Sequence, residues 1–168
     1  MNNVKIIPVN QDEGIKDVAA LAKKIWFEHY NKIIDEGQIE YMVNKYQSKK
    51  AIKQQIELEK YQYFIAEFDG EKAGYFGIQV KDGSIFLSKL YIDRSYRRMG
   101  IASYIIDFLC RIGRRDGLKK IWLTVNRNNV GSVEAYNHLG FITERSQVAE
   151  IGEGYVMDDY IMERKIEY

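Results

Sequence analysis

The stretch from Ser84 to Leu118 constrains the fold more than any other part of the chain. It opens on a β-branched and aromatic run, Ser-Ile-Phe-Leu-Ser-Lys-Leu-Tyr-Ile-Asp, crosses the basic segment Arg-Ser-Tyr-Arg-Arg-Met-Gly-Ile-Ala, and closes on apolar residues at helical spacing. This pattern predicts strand, loop, helix. Ile101, Ile105, Leu109 and Ile112 form one stripe, widened by Ala102, Ile106 and Cys110, and Gly113 and Gly117 weaken and stop the helix. Gly100 stands where that helix begins, so the unpaired N–H groups of its first turn can face an anion with no side chain in the way. A dinucleotide fingerprint would need Gly-x-Gly-x-x-Gly, and a triphosphate loop would need Gly-x-x-x-x-Gly-Lys-Ser/Thr. Neither is present.

On either side of this stretch the periodicity changes. Val4 to Val9 reads as a first strand, with Pro8 placing its end at an edge or a turn. Asp12 to Tyr30 carries Ile15, Val18, Leu21, Ala22, Ile25 and Trp26 at helical spacing, with Asp12 as the expected cap. Asp35 or Glu36 to Tyr46, and Ser48 to Leu58, read as one or two further helices. Tyr61–Phe68 and Ala73–Val80 are strand-like and joined across Asp69-Gly70, and a second hairpin signal follows at Asp82-Gly83, which predicts an antiparallel meander. After the central helix, Lys120–Val125 is expected to lie parallel to the Leu87–Asp93 strand through a right-handed crossover. A short helix over Asn129–Leu139 ends at Gly140, and Phe141–Val148 and Tyr155–Ile166 are the last strands, turned by Gly152 and Gly154.

A chain of 168 residues is the size of one domain, so 1–168 is expected to be a single unit. Its 25 basic and 24 acidic residues leave a net charge of +1, which argues against a dedicated nucleic-acid binder. No segment reads as a secretory leader or a bilayer span, and one Cys forms no internal disulfide, so a reducing, cytoplasmic setting is expected. Two His and one Cys make no metal-ligand pattern. Cys110, on the apolar stripe, reads as core, and His138 as a surface or packing residue.

Arg97-Arg98-Met99-Gly100-Ile101-Ala102 resembles the Arg/Gln-x-x-Gly-x-Gly/Ala signature of the GNAT superfamily of acyl-CoA N-acyltransferases. Leu90-Tyr91-Ile92 is similar to the Leu-Tyr-Val strand that precedes it there. Asn129 stands seven residues before Tyr136, which leads Asn137-His138-Leu139-Gly140-Phe141, like the family's Tyr-x-x-x-Gly-Phe. The resemblance covers Phe64 to Phe141 well and the N-terminal part loosely. It implies a mixed α/β fold: a mostly antiparallel central sheet of about seven strands flanked by helices, with two parallel central strands that splay apart.

It also implies acetyl-CoA as cosubstrate. The pantetheine arm would use the backbone of Leu90, Tyr91 and Ile92, and the pyrophosphate would rest on the amides of Arg98, Met99, Gly100, Ile101 and Ala102 with charge from Arg97 and Arg98. Asn129 would bind the arm or cap its helix, and the two roles are compatible. Acetyl transfer to an amine needs a neutral amine, a held oxyanion and a proton for the leaving thiolate. A backbone N–H near Leu90 could hold the oxyanion. Tyr136, in the slot where the family has a Tyr, is the candidate general acid; its other reading is packing on its own helix.

The general base has no obvious owner, because Phe86, Leu87, Ser88 and Lys89 carry no carboxylate where many relatives use a Glu. Asp158 and Asp159, or Glu28 and His29, are the alternatives, and the acidic pair could equally be a solvated turn. Trp26 to Tyr30, the Ser88-Lys89 strand and Met157 to Met162 look like the polyamine-acetylating branch of bacterial GNAT enzymes. That likeness makes Trp26, Glu28, Tyr30, Asp158 and Asp159 substrate-binding candidates and a small primary amine the expected partner, with a homodimer as one assembly state. Acetylation of a protein N-terminus, a lysine or an amino-sugar antibiotic is a second expectation, and a silent acyl-CoA-binding module a third. Arg111, Arg114, Arg115, Lys119 and Lys120 read as a solvated face or as a site for the CoA 3′-phosphate.

Overall fold

The two Asp-Gly pairs turn as their sequence demands. Asp69 and Gly70 have φ of 51° and 81°, and Asp82 and Gly83 have 53° and 73°, the left-handed pairs whose twist matches that of the flanking strands. The structure, a computed structural model, describes residues 3–168, and Met1 and Asn2, at the head of the expected domain, lie outside the described residues. Seven strands form one sheet: β1 (Val4–Val9), β2 (Gln62–Phe68), β3 (Glu71–Lys81), β4 (Ser84–Ile92), β5 (Lys120–Asn126), β6 (Ile142–Gly152) and β7 (Tyr155–Lys165). Their order is β1-β2-β3-β4-β5-β7-β6. The expected mixed α/β fold, a mostly antiparallel sheet with one parallel pair, is the fold observed. Among the described residues no helix is long and apolar enough to cross a membrane.

The chain divides into two compact units. The first comprises the residues up to Gln79 together with Lys89–Ile105. Its helix α1 (Asp12–Tyr30) buries Ile15, Val18, Ala22, Ile25, Trp26 and Tyr30, which follows the expected stripe except that Leu21 is only half-buried and Tyr30 joins it. The cap differs from expectation: Gln11 is the N-cap and makes no side-chain hydrogen bond, while Asp12 is the first helical residue. Its carboxylate therefore acts on the helix dipole and does not cap. The segment expected as one or two helices is α2 (Glu36–Met42), a π-helical turn (Val43–Gln47) and α3 (Lys49–Leu58), with Asp35 and Ser48 as side-chain caps. The π-helical turn buries Gln47, whose Oε1 accepts from the Tyr75 hydroxyl at 2.9 Å. β1 is an edge strand paired antiparallel with β2, which is where Pro8 is tolerated.

The second unit is Val80–Ser88 with Ile106–Tyr168. Within it β4 and β5 run parallel, in register at Ile85–Ile121 and Phe86–Trp122, and the Phe86 and Trp122 rings stack at 4.2 Å. β5 continues antiparallel to β7, and β7 to β6. Helix α4 (Ile101–Asp116) runs through Gly113. A Cβ there would lie 2.3 Å from Ile166 Cδ1, so Gly113 is needed for close packing, and the helix stops only at Gly117. Ile106, Leu109, Cys110, Leu123, Phe141 and Met162 are buried. Helix α5 is Val130–His138. β6 reaches Gly152, beyond the expected Val148; its ladder to β7 shifts register at Thr143/Arg145 and at Glu150/Gly152, and most of its side chains are exposed.

Candidate active site

In the first unit, β4 ends in Leu90-Tyr91-Ile92 and hands over to a short 3-10 turn, Arg94–Tyr96. Asp93 caps that turn, its Oδ1 accepting from Ser95 N at 2.9 Å, and its Oδ2 meets Lys24 Nζ at 2.8 Å. Burial alone would raise the Asp93 carboxyl; the Lys24 ammonium and the Ser95 amide outweigh it and hold the group below the ordinary carboxylate range. The loop beyond is therefore fixed at its root. Arg98 and Gly100 then have φ of 64° and 78°, on either side of Met99. Two left-handed residues bend the chain sharply here, and α4 begins at the next residue, leaving the N–H groups of its first turn without helical partners. A Cβ at Gly100 would meet no heavy atom within 4 Å, so the space over this helix start is open.

Arg97 is braced from two sides. Its Nε donates to the Ile92 carbonyl at 3.3 Å, and its Nη2 lies 3.3 Å from His29 Nδ1 on α1. Burial first, and the Arg97 charge second, push His29 down to about 4, so at neutral pH the imidazole is uncharged and its Nδ1 accepts from Arg97. Trp26 and Tyr30 are only 3% and 8% exposed. Their rings pack at 4.6 Å on each other, and Trp26 lies 5.2 Å from the Tyr91 ring. Glu28 is half-buried.

In the second unit, Asn129 is buried and caps α5, its Oδ1 accepting from Ser132 N at 3.3 Å. The cap role is thus seen directly. Tyr136 is half-buried, its ring edge-on to Phe141 at 5.6 Å, and its carbonyl accepts from Leu139 N and Phe141 N. The Leu-Gly-Phe sequence after α5 therefore folds back on Tyr136 and fixes its backbone. Asp158 pairs with Arg127 at 2.8 Å, and the guanidinium lies over the Tyr160 ring. Asp159 is 3% exposed, stands in register with Asn126 and Gln147, and has no hydrogen-bond partner for Oδ1. Burial and the neighbouring Asp158 push its carboxyl up to about 6.

A raised carboxyl has a definite linkage sign. The folded chain holds the Asp159 proton between about pH 4 and pH 6 while the unfolded chain has lost it, so stability falls as pH rises through that window. Asp159→Asn should accordingly be more stable than the parent at pH 8, by up to about 3 kcal/mol, and indistinguishable from it below pH 4. Thermal unfolding at the two pH values reads the difference. Part of the basic cluster is paired: Arg115 with Asp116 and Lys120 with Glu163, while Arg114 donates to the Glu167 backbone carbonyl. Among the described residues no group of three or more His, Cys, Asp or Glu could hold a metal ion.

Sequence reasoning noted Lys89 only within the Ser88-Lys89 strand and missed that it is buried, at 5% exposure on β4. The signal was present. Ile85, Leu87 and Lys89 share one face by the period of a strand, so the lysine continues an inward-facing row.

The family model described as acetyltransferase (GNAT) family matches residues 24–141. The chain belongs to that family of acetyltransferases. It is 19% identical over 161 residues to an uncharacterized N-acetyltransferase in the pepI 3′ region of Lactobacillus delbrueckii subsp. lactis, covering 91% of this chain and 92% of the relative. Among solved structures it is similar to the PaiA N-acetyltransferase from Thermoplasma acidophilum in complex with coenzyme A, with a TM-score of 0.80, 22% identity, and coverage of 96% and 98% of the two chains. A ribosomal-protein-alanine N-acetyltransferase from Escherichia coli gives a TM-score of 0.71 at 17% identity over 98% and 95%. Family and fold leave the acceptor open, and it must be argued from side chains.

Proposed function

We propose that the chain acts as a single domain, 1–168, that moves the acetyl group of acetyl-CoA to the primary amine of a small molecule by direct attack, with a polyamine as the first acceptor. The observation that carries this reading is the loop Arg97–Gly100, with two left-handed residues leading into a helix start open to solvent. It offers what a diphosphate needs: the free N–H donors of a helix start, a helix dipole and a braced guanidinium. In this reading Leu90, Tyr91 and Ile92 meet the pantetheine arm, Asn129 meets it as well as capping α5, and a backbone N–H near Leu90 holds the oxyanion.

A free alkylamine with a reference pKa of about 10.4 is only about one part in a thousand neutral at pH 7.4, so the acceptor must lose a proton before attack. Asp159 supports the choice of a cationic acceptor. A buried carboxylate with an unpartnered oxygen gains most from an ammonium, and its raised pKa also suits it to take a proton. Tyr136 then returns a proton to the departing thiolate. Asp158, already paired with Arg127, is the next residue of β7, and Glu28, Trp26 and Tyr30 are the further acceptor candidates.

Steady-state turnover of acetyl-CoA against a panel of polyamines, amino sugars and N-terminal peptides tests this. Turnover of a polyamine with the highest kcat/KM is expected; coenzyme A binding with no turnover of any amine would make the chain a silent module. Asp159→Asn should raise the polyamine KM about tenfold while leaving the acetyl-CoA KM in place. The solvated-turn alternative does not hold, since both residues lie within β7 and Asp159 is buried, so an unchanged KM would leave Asp159 as a structural carboxylate of that strand.

A further inference from the structure

His29 stands in the last turn of α1, between Glu28 and Tyr30, and the proposed acetyl transfer gives it no task. Its ring is half-buried and sits edge-on to Tyr30, with centroids 4.8 Å apart and planes at 89°. Its Nδ1 lies 3.3 Å from Arg97 Nη2, a contact between residues 68 positions apart in the chain. Arginine carries five N–H donors and no acceptor, so the imidazole presents a lone pair at Nδ1 and is neutral. Burial and the Arg97 charge act on the ring in that same direction.

Arg97 is exposed, and an exposed arginine samples many rotamers, so fixing one of them on a ligand costs side-chain entropy. Here two contacts hold it in advance: Nε donates to the Ile92 carbonyl at 3.3 Å, and Nη2 donates to His29. Two acceptors on separate elements fix the plane of the guanidinium as well as its position, and three N–H groups are left for an anion. The backbone beneath is fastened separately. The same helix reaches the root of the loop, where Lys24 Nζ meets Asp93 Oδ2 at 2.8 Å. Losing the imidazole lone pair therefore frees the guanidinium and leaves the root of the loop in place.

We propose that His29 is a positioning residue: its Nδ1 lone pair holds the Arg97 guanidinium in the pose that receives the coenzyme diphosphate. This rests on the acetyl-CoA reading and gives α1 a part in cosubstrate binding besides its acceptor candidates. Preorganisation of this kind raises affinity by cutting the cost of ordering, without the imidazole touching the ligand. The effect of His29 on the coenzyme thus passes entirely through Arg97.

Calorimetric titration with coenzyme A of the parent, His29→Phe, Arg97→Ala and the double variant tests this. His29→Phe keeps an aromatic ring against Tyr30 and removes the lone pair; its Kd is expected to rise about fivefold, and that of Arg97→Ala about tenfold. The double variant should match Arg97→Ala within about twofold, because a residue acting only through Arg97 has nothing left to act on. His29→Asn carries Oδ1 as many bonds from Cα as Nδ1 and should return the Kd to within about twofold of the parent. A packing role predicts the opposite: losses that multiply in the double variant, and no rescue by Asn. An unchanged Kd in His29→Phe, multiplying losses, or a His29→Asn protein no better than His29→Phe overturns the proposal. Imidazole nitrogen shifts of the ligand-free protein give an arm that needs no coenzyme: the proton of His29 is expected on Nε2 at neutral pH, and a proton on Nδ1 overturns the proposal. Absence of heat with the parent would sink the acetyl-CoA reading and this proposal together, whereas a parent and a His29→Phe protein that bind equally sink the proposal alone.

Discussion

Gly100→Glu is expected to abolish coenzyme A binding, with isothermal calorimetry showing no heat where the parent titrates. Two effects add. The new side chain leaves an αL backbone with φ of 78°, a conformation that costs a non-glycine residue about 1 kcal/mol, and its carboxylate projects into the space over the helix start. There it repels the diphosphate and competes for the same N–H groups. Gly100→Ala separates the two, since it carries the backbone cost without the charge, and open space around the Cβ leaves a loss of only a few fold. Full affinity in Gly100→Glu would remove the phosphate-loop reading and with it the proposed cosubstrate site.

Tyr136→Phe is expected to lower kcat at least tenfold and to leave coenzyme A affinity unchanged, in keeping with the size of general acid effects. The substitution is a clean one. Phe keeps the edge-on contact with Phe141, and the backbone bonds from Leu139 and Phe141 to the Tyr136 carbonyl do not involve the hydroxyl. What is lost is the phenol hydroxyl and its proton. A tenfold loss corresponds to about 1.4 kcal/mol at the transition state. Turnover equal to the parent's would make Tyr136 a packing residue and return the acid role to another group or to solvent.

Much of the architecture was legible because the chain marks its corners with residues that have few alternatives. Asp69-Gly70 and Asp82-Gly83 can hardly be anything other than hairpin turns, Ser48 is a cap, and Gly117 ends the long helix, and each does so. The α1 cap was misjudged because Gln11 and Asp12 differ by one residue, and composition favours the acid whichever of them is outside the helix. Gly113 looked like a weak point because a local pattern cannot show Ile166 arriving from the far end of the chain. The π-helical turn was invisible for a similar reason. It is selected by the partners of Gln47 and Tyr46, Tyr75 and Lys89, which lie 28 and 43 residues away.

The candidate site was legible unevenly. Gly100, Asn129 and Tyr136 stand in spacing that names them, whereas Asp159 was recognised only as part of an acidic pair. Its separation from Asp158 in burial and partners is a tertiary fact: one carboxylate reaches Arg127 and the other is enclosed with its Oδ1 unpartnered.

The outermost strand, β6, has consequences for handling the protein in the tube. Its unpaired side carries a full-length row of backbone donors and acceptors, the usual template for fibril growth. Two register breaks and the exposed charges of Glu144, Arg145 and Glu150 interrupt that row, so an incoming strand meets no flat run of any length. Concentrated stocks should therefore stay clear on storage, and replacing those three charges with Val or Thr would be the quickest way to make them gel.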